Sequence, residues 1–447
     1  MTVASDVLTP FQLGLLGFPV LLILAAFRIP LGAAMFATGL LGTYLLTGNF
    51  RAIDNQLKSF AYASFINYGF SIIPLFLLMS EFATRGGLSA ALFRAAGSWL
   101  GHRKGGLAQA AVGASAGFGA ICGSSLATAS SMGKVALPEL RKAGYAPSLA
   151  TGSLAAGGTL GILIPPSIVL VIYAILAEEN IERLFTAALI PGLLAMLGYM
   201  LTIRIVCSLR PDLATQYPKA SRQERWTSLV DTWPVIAIFT LVIGGIYTGA
   251  FSPTAAAAVG VAGTALVAWW KRALTADSLK GALLSTAKTT GMIFFIILAA
   301  AVFNAFLASA KVPQTLAEMF IASQLSPWVI LTGMLLLYVV LGMIMDSLAM
   351  IFLTVPIFVP IVLQLDFGMP PAEVGLWFGI LVLMAAEIGL ITPPVGLNLF
   401  VINAMARDVP IAETYRGVFP FILSDVLRIV ILVAFPVITL GLVRLFY

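Results

Sequence analysis

Apolar runs of span length follow one another along almost the whole chain, near 11–27, 30–47, 60–80, 148–176, 185–207, 232–249, 253–270, 285–309, 327–343, 374–405 and 418–446. Roughly 20 apolar residues suffice for a helix to cross a bilayer. This feature constrains the fold most, because lipid offers the backbone no hydrogen bonds, so only helices or closed barrels can span it. Composition agrees: 60% of residues are hydrophobic and 10% charged, against about 25% charged in a soluble domain. The mean hydropathy is +1.02. The fold class expected is an all-α integral membrane protein with about 11 transmembrane helices. The first run has no basic stretch before it and no small-residue cleavage site, so it reads as a retained span and not a signal peptide.

Two further apolar segments, 105–140 and 346–366, are interrupted by Gly, Ser, Asp and Pro and suit re-entrant helical hairpins better than clean spans. With the N-terminus outside and the hairpins returning to their own side, 17 of the 25 Lys and Arg fall in inner loops and five outside. The other three, Lys134, Lys288 and Arg428, lie inside segments. Such a bias fixes orientation by the positive-inside rule, and it accounts for the net charge of +6 without nucleic acid. The loop 209–229 is then cytoplasmic and separates a first half, 1–208, from a second, 230–447. Lys134 and Arg428, inside apolar segments, each suit either attraction of an anion or snorkelling to an interface. Glu81 reads as an interfacial partner of Arg85 and 85–106 as an amphipathic interfacial helix.

The halves repeat. "SSLATASSMGKVALP" (124–138) aligns without gaps with "DSLAMIFLTVPIFVP" (346–360), and Gly161 with Pro165 and Pro166 matches Gly389 with Pro393 and Pro394. The two hairpins enter from opposite sides in this topology, which makes the arrangement an inverted-topology repeat of the kind found in secondary transporters.

The matched prolines interrupt the apolar runs 148–176 and 374–405. Each removes a backbone donor and clashes one turn back, which frees polar groups. At membrane depth these are tolerated only when buried in protein or facing a cavity. Unwound carbonyls coordinate Na⁺, and half-helix N-termini attract anions. One proline in one helix is most simply a kink, but two Pro-Pro pairs in matching places, each beside Gly and hydroxyl residues, point to a binding site built from backbone. Glu387, Gly389, Thr392 and Asn398 stand near the second break, and Gly123, Ser124 and Ser125 at the first hairpin. Asp346 is the sharpest single residue, since an acid at membrane depth is costly. The alternatives for it are a hairpin-tip acid near water or an N-cap.

The run "GASAGFGAICGSSLATASSMGKVALPELRKAGY" (113–145), with "GTLGILIPPSIVLVIYAI" (158–175), "GMIMDSLAMIFLTVPIFVPI" (342–361) and "EIGLITPPVGLNLFVINAMA" (387–406), resembles the large membrane subunit of tripartite ATP-independent periplasmic (TRAP) transporters. The resemblance covers nearly the whole chain. It implies Na⁺-coupled import of organic acid anions, such as C4-dicarboxylates or sialic acid, across a bacterial inner membrane by an elevator movement. It also implies a periplasmic substrate-binding protein and a small four-helix membrane subunit, here a separate polypeptide. Carried onto this sequence, it places Na⁺ and substrate at Gly123, Ser124, Ser125, Asp346 and Ser347 of the hairpins. At the breaks it places them at Gly161, Pro165, Pro166, Gly389, Thr392, Pro393 and Pro394. Na⁺ is then the coupling ion, and no cofactor is expected.

The nearest rival is a standalone Na⁺/dicarboxylate carrier needing no binding protein. A channel would need a continuous polar pore lining, which the sequence lacks. An enzyme would need a nucleophile, metal ligands or an acid–base pair. A single histidine, His102, and two separated cysteines, Cys122 and Cys207, supply neither a metal cluster nor redox chemistry.

Overall fold

The structure is a computed structural model that describes residues 8–447. The N-terminus itself, expected on the outer side, lies outside the described residues. Among them there is no β-strand, and 21 α-helices carry the fold. The first half comprises α1 (Pro10–Ala26), α2 (Leu31–Thr47), α3 (Phe50–Ile66), α4 (Ile72–Arg85), α5 (Leu88–Leu100), α6 (Gly106–Cys122), α7 (Ser125–Lys142), α8 (Pro147–Leu163), α9 (Ile168–Leu176) and α10 (Ile181–Leu209). After a link come α11 (Arg222–Val230), α12 (Trp233–Tyr247), α13 (Pro253–Trp270), α14 (Ala276–Ser309) and α15 (Val312–Ala322). The chain ends with α16 (Pro327–Gly342), α17 (Ser347–Val362), α18 (Pro371–Leu390), α19 (Leu397–Met405), α20 (Ile411–Ala434) and α21 (Val437–Phe446).

Among the described residues, five helices are each long and apolar enough to cross a membrane, or up to seven if each sharply bent pair counts as one span. The protein is therefore a multi-pass membrane protein. Several expected runs divide. The run near 60–80 breaks at Asn67, whose side-chain oxygen accepts from the Gly69 amide at 2.9 Å. Such local bonding competes with a helix and explains the interruption. The last run is divided before Pro436, which cannot continue the helix ladder of α20. The segment 346–366 does not fold back within itself: α17 runs through Pro356 and Pro360 without interruption. Its turn lies at 343–346, so α16 is the other arm of this helix–turn–helix.

Burial separates inner from outer helices. α8 and α18 are buried almost along their whole length, so even their polar side chains, such as Thr159 and Glu387, lie inside the protein. On α20, by contrast, Leu423, Leu427 and Val430 are exposed, as expected of a face turned to lipid. Glycines let the inner helices approach closely. A Cβ on Gly119 of α6 would lie 2.6 Å from the Cα of Gly161 on α8. One on Gly342 of α16 would lie 3.0 Å from the Cα of Gly389 on α18. In both halves, therefore, the first hairpin arm presses backbone to backbone on the glycine that precedes a Pro-Pro break.

Lys134 is exposed, but Arg428 does not snorkel. It is 5% exposed and paired with the fully buried Asp425 one turn away.

Candidate site at the hairpin tips and helix breaks

The first tip is very short. α6 ends at Cys122, Gly123 adopts φ 64°, and Ser124 turns extended to cap α7, accepting from the Ala127 amide at 3.4 Å. Only glycine takes that left-handed conformation without a Cβ penalty. The second tip is longer, and Asp346 is the N-cap of α17, accepting from the amides of Leu348 at 3.2 Å and Ala349 at 3.4 Å. A carboxylate there also meets the positive end of the helix dipole. Asp346 is thus both an N-cap and a half-buried wall residue of the central cavity.

Each break is docked on a tip by the same kind of bond. The amide of Ile168, after the first break, donates to the carbonyl of Gly123 at 3.4 Å. The amide of Gly396, after the second, donates to the carbonyl of Met343 at 3.2 Å. Counting from Gly161 and Gly389, Ile168 and Gly396 occupy the same place. Both Pro–Pro bonds, 165–166 and 393–394, are cis. The first break bends its helix pair by 45°, and Ser167 caps the restart at the Leu170 amide, 3.3 Å away.

The tips meet on a carboxylate. Ser125 donates to Glu387 Oε1 at 3.2 Å and Ser347 donates to the same oxygen at 3.1 Å. These serines are the pair matched between the halves in sequence. Glu387 is completely buried, and its Oε2 has no hydrogen-bond partner. The same holds for Thr128 Oγ1 and Asn398 Oδ1, while Asn398 Nδ2 donates to the Ala155 carbonyl at 3.3 Å. Three buried oxygens around the tips and breaks therefore have unused acceptor capacity.

In front of the serine pair lies a cavity of about 440 Å³. Its walls are residues 123–127 of the first tip, 346–348 of the second, Leu77, Ser80 and Glu81 of α4, and Ser285, Thr286, Thr289, Met292 and Ile293 of α14. Glu81 is ion-paired with Arg85 and accepts from Ser285 at 2.6 Å. No lysine or arginine is among the described residues lining it. Thr286 Oγ1 is buried there without a partner. Described Asp, Glu, His and Cys side chains form no cluster of three that suits a metal ion, so a cation would have to be held by hydroxyl, amide and backbone oxygens around single carboxylates.

The structure brings together Gly123, Ser124, Ser125, Asp346, Ser347 and Glu387. Gly161, Pro165, Pro166, Gly389 and Asn398 form the layer behind them and do not line the cavity. Thr392 donates to its own helix at the Ile388 carbonyl. Pro394 is bonded through its carbonyl to the Tyr415 hydroxyl at 2.6 Å, and Pro393 borders a different cavity beside Glu413 and Arg416. The wall from α14 escaped the sequence reading. Its signal is the polar ladder "STAKTT" (285–290) inside an otherwise apolar helix.

Comparison with known proteins accounts for this architecture. The family model "Tripartite ATP-independent periplasmic transporter, DctM component" matches residues 18–438. The chain belongs to this family. It is 37% identical to the C4-dicarboxylate TRAP transporter large permease protein DctM of Pseudomonas aeruginosa, over 84% of this chain and 86% of that protein. It is 32% identical to the ectoine/5-hydroxyectoine TRAP transporter large permease protein UehC of Ruegeria pomeroyi, over 98% of both. In fold it is similar to the YdaH transporter of Alcanivorax borkumensis, with a TM-score of 0.61 at 17% identity, covering 95% of this chain and 98% of that one. The protein is a transporter permease subunit and not an enzyme.

Proposed function

We propose that this large permease subunit imports an organic acid anion across the bacterial inner membrane, coupled to Na⁺ and fed by a periplasmic binding protein. A separate small four-helix membrane subunit completes the complex. The observation that carries the reading is the meeting of Ser125 and Ser347, one from each hairpin, on Glu387 behind a cavity lined by both tips. Na⁺ is co-transported cargo here. Glu387 Oε2, Thr128 Oγ1 and Asn398 Oδ1 are oxygens in want of a ligand, and the tip and break carbonyls supplement them. Unpartnered buried acceptors are costly, so an ion that satisfies them favours the assembled tips. The cavity has no cationic side chain of its own. Na⁺ held at the tips supplies the positive charge that a carboxylate needs, which makes substrate binding depend on the ion.

The hairpins and broken helices form the moving body, and α4 and α14 belong to the scaffold against which it slides. The inverted repeat, the eleven-span topology, the outer N-terminus and the cytoplasmic loop 209–229 complete this reading. Each charge moved through 100 mV is worth about 2.3 kcal/mol. A dianion carried with more than two Na⁺ therefore gains from the potential as well as the gradient. The relatives' named substrates, from C4-dicarboxylates to ectoine, fit a site of hydroxyls and backbone whose selectivity lies largely in the binding protein. Reconstitution with the small subunit and candidate binding proteins tests the reading: uptake of labelled acid should require an inward Na⁺ gradient and the cognate binding protein.

A further inference from the structure

Behind the site, four side chains from three helices form one chain of contacts that cavity and tips do not explain. Thr159 Oγ1 of α8 lies 3.0 Å from the Tyr199 hydroxyl of α10. Tyr199 donates to Asp425 Oδ2 of α20 at 2.7 Å. Asp425 Oδ1 is 2.7 Å from Arg428 Nη2, and the Arg428 guanidinium stands 5.5 Å from the centre of the Tyr199 ring. Thr159, Tyr199 and Asp425 are fully buried. Since the single Tyr199 proton goes to Asp425, Thr159 is the donor to Tyr199, sharing its proton with the Ala156 carbonyl at 2.7 Å. The bonds therefore run in one direction, from α8 to the ion pair.

Stability does not account for this arrangement. A buried ion pair is often no better than well-packed apolar residues of the same volume, and the exposed face of α20 is apolar at Leu423, Leu427 and Val430. Ionisable groups at membrane depth are expensive and mark function by default. The end of the chain that reaches the site is Thr159. It lies two residues before Gly161, where a Cβ would stand 2.7 Å from the Ser124 carbonyl of the first tip. Thr159 is also within a turn and a half of the break at 164–167.

We infer that Tyr199, oriented by the Asp425–Arg428 pair, is a positioning residue that fixes the last turns of α8 and so holds the first break against the first hairpin tip. The uptake test below rests on the proposed transport function, whereas the exchange test does not.

Tyr199→Phe removes one hydroxyl and keeps the ring that packs edge-on against Phe421 at 5.4 Å. Hydrogen–deuterium exchange on the purified full chain should rise several-fold in 156–170 and stay unchanged in 384–398. Thr159→Val should reproduce this, and the double variant should add nothing, because both substitutions cut the same link. In reconstituted uptake, the half-saturating Na⁺ concentration should rise at least threefold. Unchanged exchange in 156–170 overturns the inference, and so does a uniform rise along the chain, which would mark plain destabilisation. Additive effects in the double variant also overturn it. Uptake by the unaltered protein that ignores Na⁺ would defeat the transport reading instead, and the exchange result would still decide the role of Tyr199.

Discussion

Glu387 is the residue on which both halves of the molecule converge. Its Oε1 receives two hydroxyls and its Oε2 none, so half of this buried acid group is left unsatisfied in a place where an unpartnered polar group is costly. Glu387→Gln keeps an acceptor for the serines and removes the group that can carry a negative charge to Na⁺. We expect the half-saturating Na⁺ concentration to rise about tenfold or more, equivalent to about 1.4 kcal/mol. Stabilisation of the purified protein by added Na⁺, read as a melting shift, should shrink in parallel. An unaltered Na⁺ response would remove Glu387 from the site. Gly161 is constrained sterically, since a Cβ there meets the Ser124 carbonyl at 2.7 Å. Gly161→Ala should lower the melting temperature, as overpacking costs about 1–3 kcal/mol. Gly113→Ala, where a Cβ has open space, should leave it unchanged or raise it slightly, since alanine favours a helix.

Among elements, the telling pairs are tip with break. Gly123 with Ile168 and Met343 with Gly396 make matching bonds, and Ser125 and Ser347 donate to one oxygen at nearly equal distances. Ser125→Ala and Ser347→Ala should therefore weaken Na⁺ dependence to a similar degree, several-fold each. Their combination should be more than additive, because the shared oxygen keeps one donor after either single loss and none after both. Strongly unequal single effects, measured by Na⁺ titration of uptake, would argue against equivalent tips. These positions were legible in the sequence because their signals are local: Pro-Pro in an apolar run, Gly before Ser, an acid before Ser. The hairpin boundary at 346–366 was misread because Pro356 and Pro360 suggest an interruption, yet α17 is continuous within its buried packing. The partners of Glu81, Thr159 and Asp425 come from helices far apart in sequence. Ser285 is 204 residues from Glu81, and Asp425 is 226 from Tyr199. No local pattern announces these long-range contacts, although the Asp425–Arg428 pair itself lies one turn apart on α20.

At the level of the whole molecule, the cavity lies between the hairpin tips and the helices α4 and α14. The tips form one wall, joined by Ile168 and Val169 just after the first break, and α4 and α14 form the other. The proposed elevator movement slides the tip wall past the wall formed by α4 and α14. It predicts that a crosslink between paired cysteines at Thr286 and Leu126, both lining the cavity, abolishes uptake reversibly, with recovery on reduction. The central claim is that the site couples an organic acid to Na⁺ and takes it from a binding protein. Its most direct test is uptake of labelled acid into proteoliposomes holding this chain and its small subunit, with the Na⁺ gradient and the binding protein each supplied or withheld. The account predicts accumulation only when both are present. Equal accumulation without the binding protein would contradict it and place the chain with standalone carriers, and accumulation indifferent to Na⁺ would contradict the coupling.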